Sequence, residues 1–335
     1  MLHPRMELRS RRLQRLCSVT LAALALGVAI SGRAQSQAYP SRPVRIIVPY
    51  AQGGATDTLA RLLAADLAAA FEQSFSVENR PGASGAVGLE GAARAPADGH
   101  TLVLINSTHA SWRALGGETS VELLRDFVPV ALLGHSPVLI AATPRIKAAT
   151  LEGFIRLARA QPGALTYASC GVGTAGHVVG EMLKIAAGIE MLHVPYRGCA
   201  PAVQDALGGQ VDLLITSATS GLAQIGPDRL RGLAVTSSRR LGSAPELPTV
   251  SELGYPEASI EVWHGLLTPA NTPAEVIRRV QDETLRALRH EANRSRLMRV
   301  GIDASPGTGD EFGALLRIDV RRYQEVVERG RLKMH

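Results

Sequence analysis

Short apolar runs alternate with segments of helical apolar spacing along almost all of this 335-residue chain, and nothing else in the sequence constrains the fold as strongly. Val44–Pro49 (VRIIVP) reads as a fully buried strand. From Asp57 to Phe71, residues Leu59, Leu62, Leu63, Leu67 and Ala70 mark one face of a helix. A strand at Phe75–Glu78, a helix at Gly85–Ala95 and a strand at Thr101–Asn106 are predicted next. Two apolar runs follow, Val130–Gly134 and Val138–Ala142, parted by His135-Ser136-Pro137. A second series begins near Thr143, with predicted helices Leu151–Ala160, Ala175–Ala187 and Ala200–Leu207. Strands Leu165–Ser169, Met191–Pro195, Val211–Thr216 and Leu230–Thr236 are interleaved with them. Strand Ile260–Leu267 precedes two amphipathic helices, Pro273–His290, with Thr272 as its expected N-cap, and Asp310–Arg329, which stops at Gly330. Repeated strand–helix–strand units predict an α/β fold with mostly parallel sheets flanked by helices. Two series, with crossings near residues 142 and 260, predict two lobes: 39–141 plus 262–335, and 142–261.

Residues 1–38 look like an export signal. Arg5, Arg9, Arg11, Arg12 and Arg15 precede a twelve-residue apolar run, Val19–Ile30, which is too short to span a bilayer, and Ser36-Gln37-Ala38 offers cleavage before Tyr39. The segment takes six of the 36 Lys+Arg and one of the 30 Asp+Glu, which leaves 30 against 29, or net +1. With no block of five like charges and 4% aromatic residues, nucleic-acid binding drops out. Cys17 leaves with the signal. Cys170 and Cys199 remain as a candidate disulfide of an oxidising compartment, in two neighbouring loops, and no Cys/His cluster has zinc-ligand spacing. No metal or cofactor is expected.

Ligands of open α/β sheets sit beyond the carboxyl ends of strands, so the strand-to-helix loops are where function is sought. In Pro49–Asp57, Gly53-Gly54 lets backbone come close to a ligand, and the helix that follows offers free N–H groups for a carboxylate or phosphate. Capping by Thr56 or Asp57 is the structural alternative, and Asp57 reads as a brace. Ser169–His177 contains a literal G-x-G-x-x-G at Gly171, Gly173 and Gly176. Glu190 precedes the next strand instead of ending it, so the loop reads as a small-anion cradle and not as a dinucleotide site. In His193–Pro201, Tyr196 either walls a pocket and donates a hydrogen bond or packs in the core, and Arg197 reads as a surface arginine, with pairing to a second ligand carboxylate as the alternative. Asn106-Ser107-Thr108-His109 offers short polar groups, Asn79–Gly85 reads as a structural turn, and Trp263-His264 either faces a cleft or packs between lobes. Nucleophile-elbow, zinc-protease and P-loop motifs are all missing, and His177 with Glu181 reads as a surface contact.

The stretches YPSRPVRIIVPYAQGGATDTLAR, VENRPGASG, DGHTLVL, YASCGVGTAGH, HVPYRGCAPAVQDALGGQVDLL, LRGLAVTS and GLLTPANTP, in this order, resemble the Bug (TctC-like) family. These are the extracytoplasmic solute receptors of tripartite tricarboxylate transporters. The resemblance implies a two-lobed periplasmic-binding-protein (Venus flytrap) fold, a periplasmic location and no catalysis. It also implies capture of a small carboxylate (dicarboxylate, amino acid, tricarboxylate or aromatic acid) by backbone amides, hydroxyls and waters. Carried onto this chain, the first-lobe contacts are Tyr50, Ala51, Gly53, Gly54, Ala55, Asp57, Ser107, Thr108 and His109. Those of the second are Ser169, Gly171, Gly173, Thr174, His177, Tyr196 and, after strand Val211–Thr216, Ser217. Gln52 replaces the proline common in the first loop, and Ile215–Thr219 departs from the family's pattern. The implied partners are the transporter's membrane subunits or a sensor. The rival reading is an exported hydrolase using a cleft serine such as Ser169.

Overall fold

The computed structural model describes residues 39–330, so the expected leader, its cleavage site and residues 331–335 lie outside the described residues. β1 (Val44–Val48) forms because four of its five side chains are β-branched and fully buried, Arg45 alone staying partly exposed. α1 (Ala55–Phe71) returns over it, burying Leu59, Leu63 and Leu67. Then follow β2 (Phe75–Asn79), α2 (Ala86–Ala93), β3 (Thr101–Asn106), α3 (Thr108–Ala114), α4 (Leu123–Asp126) and β4 (Phe127–Ala142). The second series is α5 (Leu151–Ala160), β5 (Thr166–Ser169), α6 (Ala175–Ala187), β6 (Leu192–Pro195), α7 (Cys199–Leu207), β7 (Leu213–Ser217), α8 (Ala218–Gly221) and β8 (Arg231–Val235). The chain closes with β9 (Glu261–Pro269), α9 (Ala274–Arg289), α10 (Glu291–Arg299), β10 (Gly307–Thr308) and α11 (Gly309–Gly330).

The strands run in the order β2-β1-β3-β9-β4-β7-β5-β6, with β8 and β10 also paired to β4. β1 is parallel to β2 and β3, and β5 to β6 and β7. The long strands β4 and β9 are antiparallel to each other and to their other neighbours. The two apolar runs expected around His135-Ser136-Pro137 are therefore one sixteen-residue strand. Pro137 is the last residue of β4 paired with β9, and Val138 is the first paired with β7. A residue with no N–H is tolerated where the ladder changes partner. Alternate residues of β4 then enter different buried clusters, Val138, Ile140 and Ala142 in one, Leu139 and Ala141 in the other, as a period of two requires.

The N-cap of α9 also differs from expectation. Pro273 occupies that position, while Thr272 donates its hydroxyl back to the Pro269 carbonyl at 2.8 Å and closes the turn. Among the described residues no helix is long and apolar enough to cross a membrane.

Candidate functional site

The loops after β1, β3, β5, β6 and β7 line a cavity of about 600 Å3. Ten of the expected residues border it: Tyr50, Ala51, Gly54, Ala55 and Asp57 after β1, Thr108 after β3, Gly171 and Thr174 after β5, Tyr196 after β6, and Ser217 at the end of β7. The other six, Gly53, Ser107, His109, Ser169, Gly173 and His177, are not part of the lining. Ser107 is fully shielded and its Oγ has no partner. His109, 2% exposed, packs near Trp112, and burial followed by the Arg113 charge lowers its pKa to about 4. Ser169 Oγ lies 2.7 Å from His193 Nε2, and the His193 ring is stacked between Tyr167 at 4.8 Å and His177 at 4.2 Å. Burial, then His177 and Lys184, lowers the His193 pKa to about 3. This cluster braces the β5 and β6 loops from behind. Gly173 is covered by Trp112, and Gly53 turns its N–H onto Asp57.

Two long helices start at the cavity with no side-chain cap, α1 after Gly54 and α6 after Thr174. Their first N–H groups and positive dipole ends are thus free for an anion. The Thr174 hydroxyl is turned away, donating to the Gly171 carbonyl at 2.7 Å. Asp57 is the brace expected of it: it accepts from Gly53 N at 3.1 Å, Asn79 Nδ2 at 3.0 Å and Arg61 Nε at 3.1 Å. Burial alone would raise its pKa, but the bonds from Arg61, Gly53 and Asn79 outweigh burial and hold it below the ordinary carboxylate value. Arg197, exposed and without an ion pair among the described residues, is the one Lys or Arg in the lining. Arg197 is thus a surface arginine, as expected, that stands at the cavity's edge.

Tyr196 contributes its ring, but its hydroxyl is committed, donating to Asp205 Oδ2 at 2.8 Å, and burial followed by Asp205 pushes its pKa up to about 12. Cys170 and Cys199 form a disulfide that ties the β5–α6 loop to the start of α7. Hydroxyls from the β2–α2 turn and from α3 reach the loop after β5: Ser84 Oγ donates to the Val172 carbonyl at 2.7 Å, and Ser111 Oγ donates to that of Gly173. Gly82–Gly85, expected as a structural turn, stands on the cavity wall.

Thr56, Asn106, Ser136 and His264 complete the floor. His264 Nε2 lies 2.8 Å from Ser136 Oγ and its Nδ1 lies 3.3 Å from Thr56 Oγ1. Asn106 Nδ2 donates to Thr56 Oγ1 at 2.8 Å. Burial, with a contribution from His135, lowers the His264 pKa to about 3, so the ring is neutral. Of the Trp263-His264 pair, His264 faces the cavity while Trp263 packs edge-on against Phe312 and donates to Asp319.

Residues 59–332 match the model of the tripartite tricarboxylate transporter family receptor. This chain belongs to that receptor family. Protein BugT of Bordetella pertussis (strain Tohama I) is 32% identical over 319 residues, 94% of this chain and 98% of BugT. Rpa4515 of R. palustris, solved with adipate, is 30% identical with a TM-score of 0.84, covering 87% of this chain and 98% of that one. MatC (Rpa3494) from Rhodopseudomonas palustris, solved with bound malate, is 29% identical with a TM-score of 0.80, over 86% and 100%. The two-lobed periplasmic-binding-protein fold that the resemblance implied is the fold of this chain.

Proposed function

We propose that this chain is an extracytoplasmic receptor that captures a small carboxylate between its lobes and delivers it to the membrane subunits of a tripartite tricarboxylate transporter or to a sensor. The observation that carries this reading is that α1 from one lobe and α6 from the other open, uncapped, into the same cavity. Amide donors of this kind bind an anion without a dedicated cation. The adipate in Rpa4515 and the malate in MatC support the ligand class. Closure brings Ser84 and Ser111 onto the Val172–Gly173 loop and excludes bulk water, so that the helix dipoles act in a lower dielectric. In this reading the lobes are residues 39–141 plus 262–335 and residues 142–261, and β4 and β9 are the connections that flex. The leader is removed near Ala38 and the mature chain acts in the periplasm.

The ligand is returned unchanged in this account. Ser169, the serine named as an example in the hydrolase reading, is fully shielded, held by His193 and off the cavity wall. Isothermal titration of the 39–335 chain with malate, adipate, glutamate, citrate and benzoate tests the proposal. Saturable one-to-one binding of at least one acid, recovered intact by chromatography, is the expected result. Binding of none, or conversion of the acid, overturns it.

A further inference from the structure

The side chains around His264 set the orientation of the Thr56 hydroxyl. Thr108 N, which can only donate, bonds Asn106 Oδ1 at 2.9 Å. That orients the Asn106 amide so that Nδ2 donates to Thr56 Oγ1. His264 is fully shielded and neutral, so its ring carries one proton for two neighbouring hydroxyls. Ser136 is 0% exposed and His264 is its one side-chain hydrogen-bond partner among the described residues. A proton on Nε2 would instead leave without a protein acceptor the hydrogen of Ser136, which also borders the cavity but is 0% exposed against 3% for Thr56. The 2.8 Å separation on the Ser136 side has the length of an O–H donor bond, against 3.3 Å on the Thr56 side, and on that difference Ser136 is assigned as donor to Nε2 and the ring proton to Nδ1, facing Thr56 Oγ1.

Thr56 Oγ1 then accepts twice, from Asn106 and from His264, and both of its lone pairs are used. Its own hydrogen has no acceptor within the described protein, although the side chain is only 3% exposed, and Thr56 borders the cavity. We propose that Thr56 is a specificity-determining residue, its hydroxyl locked by Asn106 and His264 as a donor into the cavity, so that it selects a hydrogen-free oxygen such as that of a carboxylate. This inference rests on the receptor reading and deepens it. The O–H of a protonated acid, an ammonium or an amide N–H set against Thr56 would meet a donor and be rejected.

Two measurements test it. Ring nitrogen–proton correlation spectra of the ligand-free protein should show His264 neutral and protonated on Nδ1; an Nε2-protonated or doubly protonated ring overturns the inference. Malate and adipate are then titrated into wild type, Thr56→Val and Thr56→Ser. Valine keeps the shape and removes the donor, so affinity should fall about tenfold or more, the usual weight of a hydrogen bond to a charged group. Serine should bind within about threefold of wild type. Equal binding by wild type and Thr56→Val overturns the role of Thr56 and leaves the receptor reading intact, whereas a wild type that binds neither acid overturns both. Should the valine variant fail to fold, the ring spectrum of the wild type still decides the matter.

Discussion

Gly173→Ala, compared with Gly53→Ala, separates the cost of a strained backbone from the cost of blocking closure. Both glycines adopt left-handed φ, +77° at Gly173 and +84° at Gly53. Each alanine therefore carries about 1–2 kcal/mol of backbone strain. A Cβ at Gly53 would meet nothing within 4 Å, whereas one at Gly173 would lie 2.9 Å from Trp112 Cβ and 3.1 Å from Trp112 Cα. Trp112 sits on α3 and Gly173 precedes α6; in the two-lobed reading proposed above these belong to different lobes, so the clash is expected only when the lobes are shut. Overpacking of this kind costs about 1–3 kcal/mol. The two variants should therefore melt together, a few degrees below wild type. Calorimetric titration with a carboxylate that binds wild type should show Gly173→Ala weakened a further 5- to 150-fold or so, with Gly53→Ala within about threefold. Small-angle scattering should find the ligand-saturated Gly173→Ala protein more open. Equal affinities for the two variants would refute the claim that this contact forms on closure.

Three further outcomes are expected. Reducing Cys170–Cys199, which closes a separation of 29 residues, should lower stability by about 3.5 kcal/mol in the chain-entropy model, read as a melting shift with a thiol reductant; an unchanged melt contradicts it. Buried His109 and His264 and half-buried His193 have pKa values of about 4, 3 and 3 when folded, below the ordinary 6.5, so the unfolded chain binds more protons. Their contribution is complete above pH 6.5 and is lost as pH falls toward those values, by up to about 1.4 kcal/mol per pH unit for each ring. Melts between pH 7.5 and 4.5 should show the drop, and His109→Gln should flatten it; a melting temperature constant from pH 6.5 to 5 contradicts the assignment. Arg197→Met should weaken a dicarboxylate about two- to fivefold, the modest worth of an exposed charge, and spare a monocarboxylate, with the difference fading at high salt. Equal effects on both acids would remove Arg197 from the site.

The parts of this molecule that were legible in the sequence are those governed by local pattern. β1, β3, α5 and α6 lie where apolar periodicity and loop residues placed them, to within a residue, because each buries one continuous stripe or run. α10 was invisible for the same reason: EANRSRLMR buries only Leu297 and carries no stripe. β4 was split in expectation because a proline marks a break in pairing and not the partner that takes over. The strand-to-helix loops were located correctly, but which side chains face the cavity depends on what packs behind each loop. Ser169 and His177 turn inward because His193, on the next strand, offers them a partner. The floor formed by Thr56, Asn106, Ser136 and His264 joins residues as far as 208 positions apart, and β4 and β9 bring them together. No short-range motif encodes that meeting.

Native mass spectrometry of the 39–335 chain, purified gently and then denatured to release what it carries, tests the central claim most directly. The account predicts one small carboxylated molecule per chain, released intact. A chain that carries nothing and whose melting temperature is unmoved by any acid in the panel would contradict it.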